Sequence, residues 1–206
     1  MPTSPTILAM DLEGVLVPEI WIGVAEKTGI PELRRTTRDE PDYDKLMRGR
    51  LAILDREGIR IETIHQVIGS LDPLPGAAEF LAWARERTQV IILSDTFAQF
   101  AHPLMRKLGW PTLFCHTLDI EPSGRISGYR LRMNDQKRHS VAAFKGLNFR
   151  VCAVGDSYND TSMLGEANQG ILFKPSANVI KDFPQFPVVN DHTALRTRVE
   201  SFLTAG

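Results

Sequence analysis

"TILAMDLEGVLVPEIW", residues 6–21, carries an apolar run into Asp11, Glu13 and Gly14, then turns apolar again at Val15. A run with no polar alternation suits a strand buried on both faces of a parallel sheet. Aspartate, glutamate and glycine weaken strands, so the strand ends at Met10. Taken alone, the two acids are explained as well by a turn as by a site.

Similar runs recur at 89–93 (QVIIL), 112–116 (TLFCH), 150–155 (RVCAVG) and 170–173 (GILF). Helical patterns separate most of them. Residues 76–88 place Ala77, Phe80, Leu81 and Ala84 on one stripe. Residues 97–111 end on Gly109 and Pro111, a stop and a breaker. Further helices are predicted over 138–147, 160–167 and 194–203. This alternation predicts a doubly wound α/β domain. From Glu19 to Leu71 no strand-like run appears, and three helical patterns (within 19–32, 42–58 and 62–71) predict a helical insert, with "DPLPG" (72–76) as the return linker. Arg34, Arg35 and Arg38 in the insert read as a solvated face. Around Pro122-Ser123-Gly124, residues 118–132 read as a β-hairpin.

The chain has 206 residues, enough for a core plus a small second domain. With 24 basic and 25 acidic residues, nothing in the bulk charge recruits nucleic acid or an anionic membrane. Cys115 and Cys152 form no C-x-x-C pair and read as small buried hydrophobes, which fits a reduced, cytoplasmic setting. No run reaches membrane-spanning length, and the N-terminus lacks the basic start of a signal peptide. There is no P-loop and no G-x-S-x-G elbow, and the five histidines show no metal-ligand spacing and receive no site role.

Ligands of open parallel sheets bind beyond the carboxyl ends of the strands. Asp11 and Glu13 follow the first run, Ser94, Asp95 and Thr96 the second, and "GDSYND" (155–160) the fourth. Each group alone reads as a turn or helix cap. Together they gather acids that repel one another unless a cation or proton intervenes. All-oxygen ligands favour a hard ion, and magnesium is the usual one beside phosphate. Lys137 lies just before a predicted helix and enters the same edge from a loop; alone it would read as a surface lysine.

In order, "DLEGV", "VIILSD", Lys137 and "GDSYND" resemble the four motifs of the haloacid dehalogenase superfamily of phosphotransferases, across nearly the whole chain. A helical insert directly after the first motif resembles the phosphoserine phosphatase group, and "DLEGVLVPEIW" looks closest to its ThrH-type members, which also pass phosphate to homoserine. The resemblance implies a Rossmann-like core (1–16 and 74–206) under a small helical cap of the C1 type (17–73). It implies a magnesium-dependent phosphatase with Asp11 as nucleophile, Glu13 as proton carrier, and Ser94 and Lys137 on the phosphoryl oxygens. Asp11, the Glu13 carbonyl and Asp156 would hold the ion, with Asp160 behind them. Arg50 matches the cap arginine that binds the serine carboxylate, Glu19 is the candidate for its ammonium, and Tyr43, Asp95 and Asn159 complete the substrate side. Glu13 departs from the usual aspartate, which lengthens the reach by one methylene. The resemblance also implies a place in serine or threonine synthesis and allows a homodimer. Hydrolysis and transfer to homoserine share their first step, so both stay open, as does another small phosphorylated metabolite as substrate. A receiver-like module ranks lower because it needs no arginine-bearing cap, and an inactive binding protein because all four motifs are intact apart from Glu13.

Overall fold

The computed structural model describes residues 4–36, 39–40 and 42–205. Seven strands form one sheet in the order β4-β3-β2-β1-β5-β6-β7. They are β1 (Thr6–Met10), β2 (Gln89–Phe97), β3 (Thr112–Ile120), β4 (Ile126–Arg130), β5 (Arg150–Gly155), β6 (Gln169–Phe173) and β7 (Val188–Val189). All neighbours run parallel except β3 and β4. β1 is the centre, with Met10 in register with Ile92 of β2 and Val154 of β5. The winding reverses at β1, which is where an open α/β sheet opens a crevice.

Successive residues of β1 enter opposite cores, as the strand period requires. Leu8 and Met10 join the larger apolar cluster with Ile92, Cys152 and Val154. Ile7 and Ala9 join the smaller one with Leu93, Val151 and Leu172. This two-sided burial is why the runs carry no polar alternation.

Between β1 and α4 (Ala77–Arg85) the described chain forms α1 (Ile20–Thr28), a 3-10 turn (Pro31–Arg34), α2 (Tyr43–Arg56) and α3 (Ile61–Gly69). Gly29, at φ 72°, stops α1, and the Asp42 carboxylate caps α2 by accepting from Lys45 N. The insert has no core of its own: Val24, Leu33, Met47, Leu54 and Ile64 belong to the larger cluster of the sheet. Of the arginine group, Arg34 is exposed and pairs with Glu26, while Arg38 lies outside the described residues. The two linkers run side by side, with Leu74 N donating to Leu16 O at 2.9 Å. His192 bridges them, its Nδ1 2.9 Å from Pro75 O and its Nε2 2.9 Å from Val15 O. Gly76, at φ 81°, makes room: a Cβ there would stand 3.3 Å from that of His192.

The remaining helices are α5 (Ala98–Lys107), α6 (Gln136–Gly146), α7 (Thr161–Glu166), α8 (Ala177–Asp182) and α9 (His192–Thr204). Four sequence expectations need correction. β2 does not end at Leu93 but continues to Phe97 through a register shift, so Ser94, Asp95 and Thr96 lie inside a bulged strand. The first hairpin arm is not separate from the run at 112–116; β3 is one strand, paired with β2 early and with β4 late. α6 begins two residues before 138, so Lys137 stands in its first turn and not on a loop. α8 and β7 were not foreseen, being too short to show a period. Among the described residues, no helix is long and apolar enough to cross a membrane.

Candidate active site

Asp11 extends β1 by one bond, its N–H donating to Val154 O at 2.9 Å. Its Oδ1 accepts from Leu12 N at 2.7 Å and lies 3.0 Å from Lys137 Nζ. Lys137 reaches it from α6, which the chain enters through Asp135 at φ 47°, a left-handed conformation that aspartate tolerates. Lys137 donates to Asp160 Oδ1 at 2.8 Å and lies 3.6 Å from Asp95 Oδ2. Burial opposes its charge, but Asp11, Asp160 and Asp95 outweigh that and raise its pKa well above the lysine range.

Asp160 is fully buried, and its Oδ2 accepts from the N–H groups of Asp156 (2.9 Å) and Ser157 (3.1 Å). It therefore fastens the turn after β5 and holds Lys137 as well. Gly155 is required there, since a Cβ would lie 2.3 Å from the Asp160 side chain. Gly14, at φ 77°, likewise lets the Asp156 carboxylate approach: a Cβ would stand 2.5 Å from Oδ2.

Asp11, Asp156 and Asp160 each bring a carboxylate oxygen within 4.8 Å of the others. Burial, with the charges of Asp160, Asp156 and Asp95, outweighs Lys137 and raises the Asp11 pKa well above the carboxylate range. Burial, then Asp160 and Glu19, pushes Asp156 up to about 7. One lysine does not neutralise this group, and its all-oxygen donors fit a hard divalent ion such as magnesium. Asp160 has three hydrogen bonds already, which leaves Asp11 and Asp156 as the ligands best placed.

Asp95 behaves differently. Burial raises its pKa, but Lys137, His116, Asn159 and Gln136 outweigh burial and hold it well below the usual carboxylate range. Asn159 Nδ2 donates to its Oδ2 at 3.1 Å and Gln136 Nε2 to its Oδ1 at 3.2 Å. Ser94 Oγ accepts from Thr96 N at 3.2 Å.

Glu13 is partly buried, and its Oε2 accepts from Ile20 N, in the first turn of α1, at 2.8 Å. Burial, then the charge of Glu19, pushes its carboxyl up to about 7. Glu19 is exposed, occupies the cap position of α1 and makes no side-chain capping bond.

The opposite wall comes from the helical insert. Arg50 is 7% exposed, with its guanidinium 4.5 Å above the Trp21 ring. Its Nη2 donates to Arg35 O at 2.6 Å, while its buried Nε has no hydrogen-bond partner among the described residues. Burial lowers its pKa to about 10, against the pull of Glu13, Tyr43 and Glu19. Among the described residues it forms no ion pair. The Tyr43 hydroxyl donates to Asp95 O at 3.0 Å, joining insert to sheet.

A cavity of about 320 Å³ joins the two walls, and every site residue foreseen from the sequence except Asp160 lines it. Sequence reasoning missed Trp21, His116 and Gln136, and placed Thr96 at this edge without a role. Trp21 and Thr96 line the cavity; Gln136 and His116 stand behind Asp95. His116 thus does touch the site, correcting its dismissal: its Nε2 lies 3.6 Å from Asp95 Oδ1. Recognising the longer β3 and the earlier start of α6 would have pointed to both.

Residues 6–168 match the family model described as haloacid dehalogenase-like hydrolase. The chain is 60% identical over 190 residues to the phosphoserine phosphatase ThrH of Pseudomonas aeruginosa, covering 92% of this chain and 93% of the relative. A phosphoserine phosphatase of Pseudomonas syringae pv. tomato is also 60% identical over 190 residues, with 92% and 80% covered. Among solved structures, a phospho-aspartyl intermediate analogue of phosphoserine phosphatase shares the fold, with a TM-score of 0.78 at 19% identity, over 95% of this chain and 99% of that one. The chain belongs to the haloacid dehalogenase-like hydrolase family.

Proposed function

We propose that this chain is a phosphoserine phosphatase that works through an aspartyl-phosphate on Asp11. The observation that carries it is one cavity with two unlike walls. The sheet edge offers Asp11, Ser94, Lys137 and Asp156 for phosphate chemistry, and the insert offers a buried Arg50 that forms no ion pair among the described residues. A phosphorylated amino acid fits both, its phosphate at the sheet edge and its carboxylate on Arg50. The two 60% identical relatives support the same substrate. Residues 17–73 then act as the cap and residues 1–16 and 74–206 as the core.

Asp11 attacks phosphorus, and its new O–P bond forms as the ester P–O bond breaks. The departing serine oxygen takes a proton from Glu13, whose carboxyl at about 7 suits that task. Water then attacks the aspartyl-phosphate and gives a proton to Glu13, which releases phosphate and restores Asp11. Lys137 and the Ser94 hydroxyl hold the phosphoryl oxygens as charge builds on them. Magnesium, held by Asp11, Asp156 and the Glu13 carbonyl, would supply the charge that lets a carboxylate meet a phosphate dianion. Two unit charges ~4 Å apart repel by about 4 kcal/mol at an effective dielectric near 20. Glu19 faces the substrate ammonium, and Asn159, Asp95 and Tyr43 shape the rest of the cavity.

Transfer to homoserine is the second reading, and Glu13 favours it. Its carboxylate is engaged with Ile20 N, which restrains the group that must activate water. A phosphoenzyme slow to meet water survives to meet an alcohol.

The test is phosphate release from phosphoserine with magnesium, with and without homoserine. Release by the wild-type chain and none by Asp11→Asn is expected. Turnover retained in Asp11→Asn sinks the nucleophile; preference for a phosphomonoester without a carboxylate sinks the substrate.

A further inference from the structure

The first turn of α6 carries two buried polar side chains, and the proposed reaction uses only one. Next to Lys137 stands Gln136, 1% exposed. Its Oε1 accepts from Arg132 Nε at 3.0 Å, and Arg132 is held in turn by Ser140 Oγ, 2.9 Å from Nη2, and by the Phe114 ring, 4.8 Å from its guanidinium. A charged donor on Oε1 fixes the amide in one orientation, because only its nitrogen side can donate. Nε2 therefore faces β2 and donates to Ser94 O at 2.6 Å and to Asp95 Oδ1 at 3.2 Å.

Those two acceptors need a donor from outside the sheet. β2 loses its register with β3 between Leu93 and Phe97, and its pairing with β1 ends at Ile92. The bulge turns Ser94 towards the cavity and costs its carbonyl a ladder partner; Gln136 replaces it. The other oxygen of Asp95 accepts from Asn159 and lies 3.6 Å from Lys137. His116 braces the same carboxylate. Its Nδ1 accepts from Arg132 N at 3.1 Å, so the proton sits on Nε2, 3.6 Å from Asp95 Oδ1.

We infer that Gln136 is a positioning residue: its amide, oriented by Arg132, fixes the Ser94–Asp95 bulge against Lys137, so that hydroxyl and ammonium address one phosphoryl group together. This rests on the reading of Ser94 and Lys137 proposed above. Gln136 does not touch the substrate and acts only through its neighbours.

Steady-state kinetics of Gln136→Met, similar in volume and without the amide, tests it in the full chain. The expected result is a kcat lower by roughly ten- to a hundredfold, the scale of a small misplacement of reacting groups, with KM for phosphoserine nearly unchanged. Arg132→Met, which leaves the amide in place but frees it to turn, is expected to lose less, and the double variant no more than Gln136→Met alone. The single Arg132 variant keeps the test decisive if Gln136→Met does not fold. Wild-type kcat in a folded Gln136→Met chain, a loss confined to KM, or additive losses in the double variant would each overturn the inference while leaving the proposed function intact. No phosphate release by the wild-type chain would instead overturn the proposed function.

Discussion

Arg50 sits on a helix whose other inward residues, Leu46, Met47 and Leu54, are apolar. A guanidinium buried there with no ion pair among the described residues has only the Arg35 carbonyl, the Met47 sulfur and the Trp21 ring in place of water, which a ligand carboxylate would improve on. Hydrogen bonds to charged groups contribute about 1.5–3 kcal/mol. Arg50→Met should therefore raise KM for phosphoserine by roughly ten- to a hundredfold and leave turnover of phosphoethanolamine, which has no carboxylate, almost unchanged; equal losses on both substrates would refute the assignment. At Glu13 the expected change concerns partition. Glu13→Asp shortens the side chain and breaks its bond to Ile20 N, so hydrolysis should gain on transfer to homoserine in a product-ratio assay. An unchanged ratio counts against the restraint. These two residues also show what sequence reveals. Asp11 and Glu13 stood out as acids breaking an apolar run, whereas Arg50 is an ordinary helix arginine until the resemblance singles it out.

The turn from β5 into α7 is the element on which the site depends most. Gly155 closes the strand, Asp160 folds back under it, and Lys137 is tethered to that carboxylate. A methyl group at 155 has nowhere to go, since Asp160 is pinned by three donors. Gly155→Ala should lower the melting temperature by several degrees, as overpacking costs typically 1–3 kcal/mol, and should abolish most turnover. Activity and a thermal melt on one preparation check both; a wild-type melt with wild-type turnover would show that the turn has slack. The longer strands and helices were legible because two-sided burial and helical stripes leave clear patterns. The bulge in β2 was not, because Ser94, Asp95 and Thr96 read like a strand end when the partner strand is unseen. α8 and β7 were hidden by their length.

For the whole molecule, the sheet separates two apolar clusters, and the larger reaches into the helical insert. Cys152, fully buried in it, has a thiol that burial raises from 9.0 to about 12. Below pH 9 both folded and unfolded chains keep the proton and the thiol has no effect. Above it the unfolded chain releases the proton first, so stability falls by about 1.4 kcal/mol per pH unit until about pH 12. Denaturant titrations between pH 9 and 11 should show that slope reduced by this amount in Cys152→Ala, whatever constant offset the smaller side chain adds. Equal slopes would mean that the thiol is not the group titrating. The class of fold and the three-helix insert followed from the order of runs along the chain. That insert and sheet share one apolar core did not, since hydrophobic stripes do not name their partners.

His192 ties Val15 and Pro75, the two strands of chain that lead into and out of the insert. The first of these contacts spans 177 residues. On a ribosome making about 5–20 residues per second, the linker therefore waits roughly ten to thirty-five seconds for its clasp. During synthesis the helical insert emerges early and is tied down only once His192 has been made. A His192→Leu chain should keep its linkers unclasped, with the stretches near 14–19 and 72–76 cut faster by protease while its circular dichroism stays native; wild-type resistance would show that the clasp is dispensable. α9 thus fastens both linkers from 177 residues beyond Val15, and a chain stopped short of His192 holds β1 and the insert without that clasp.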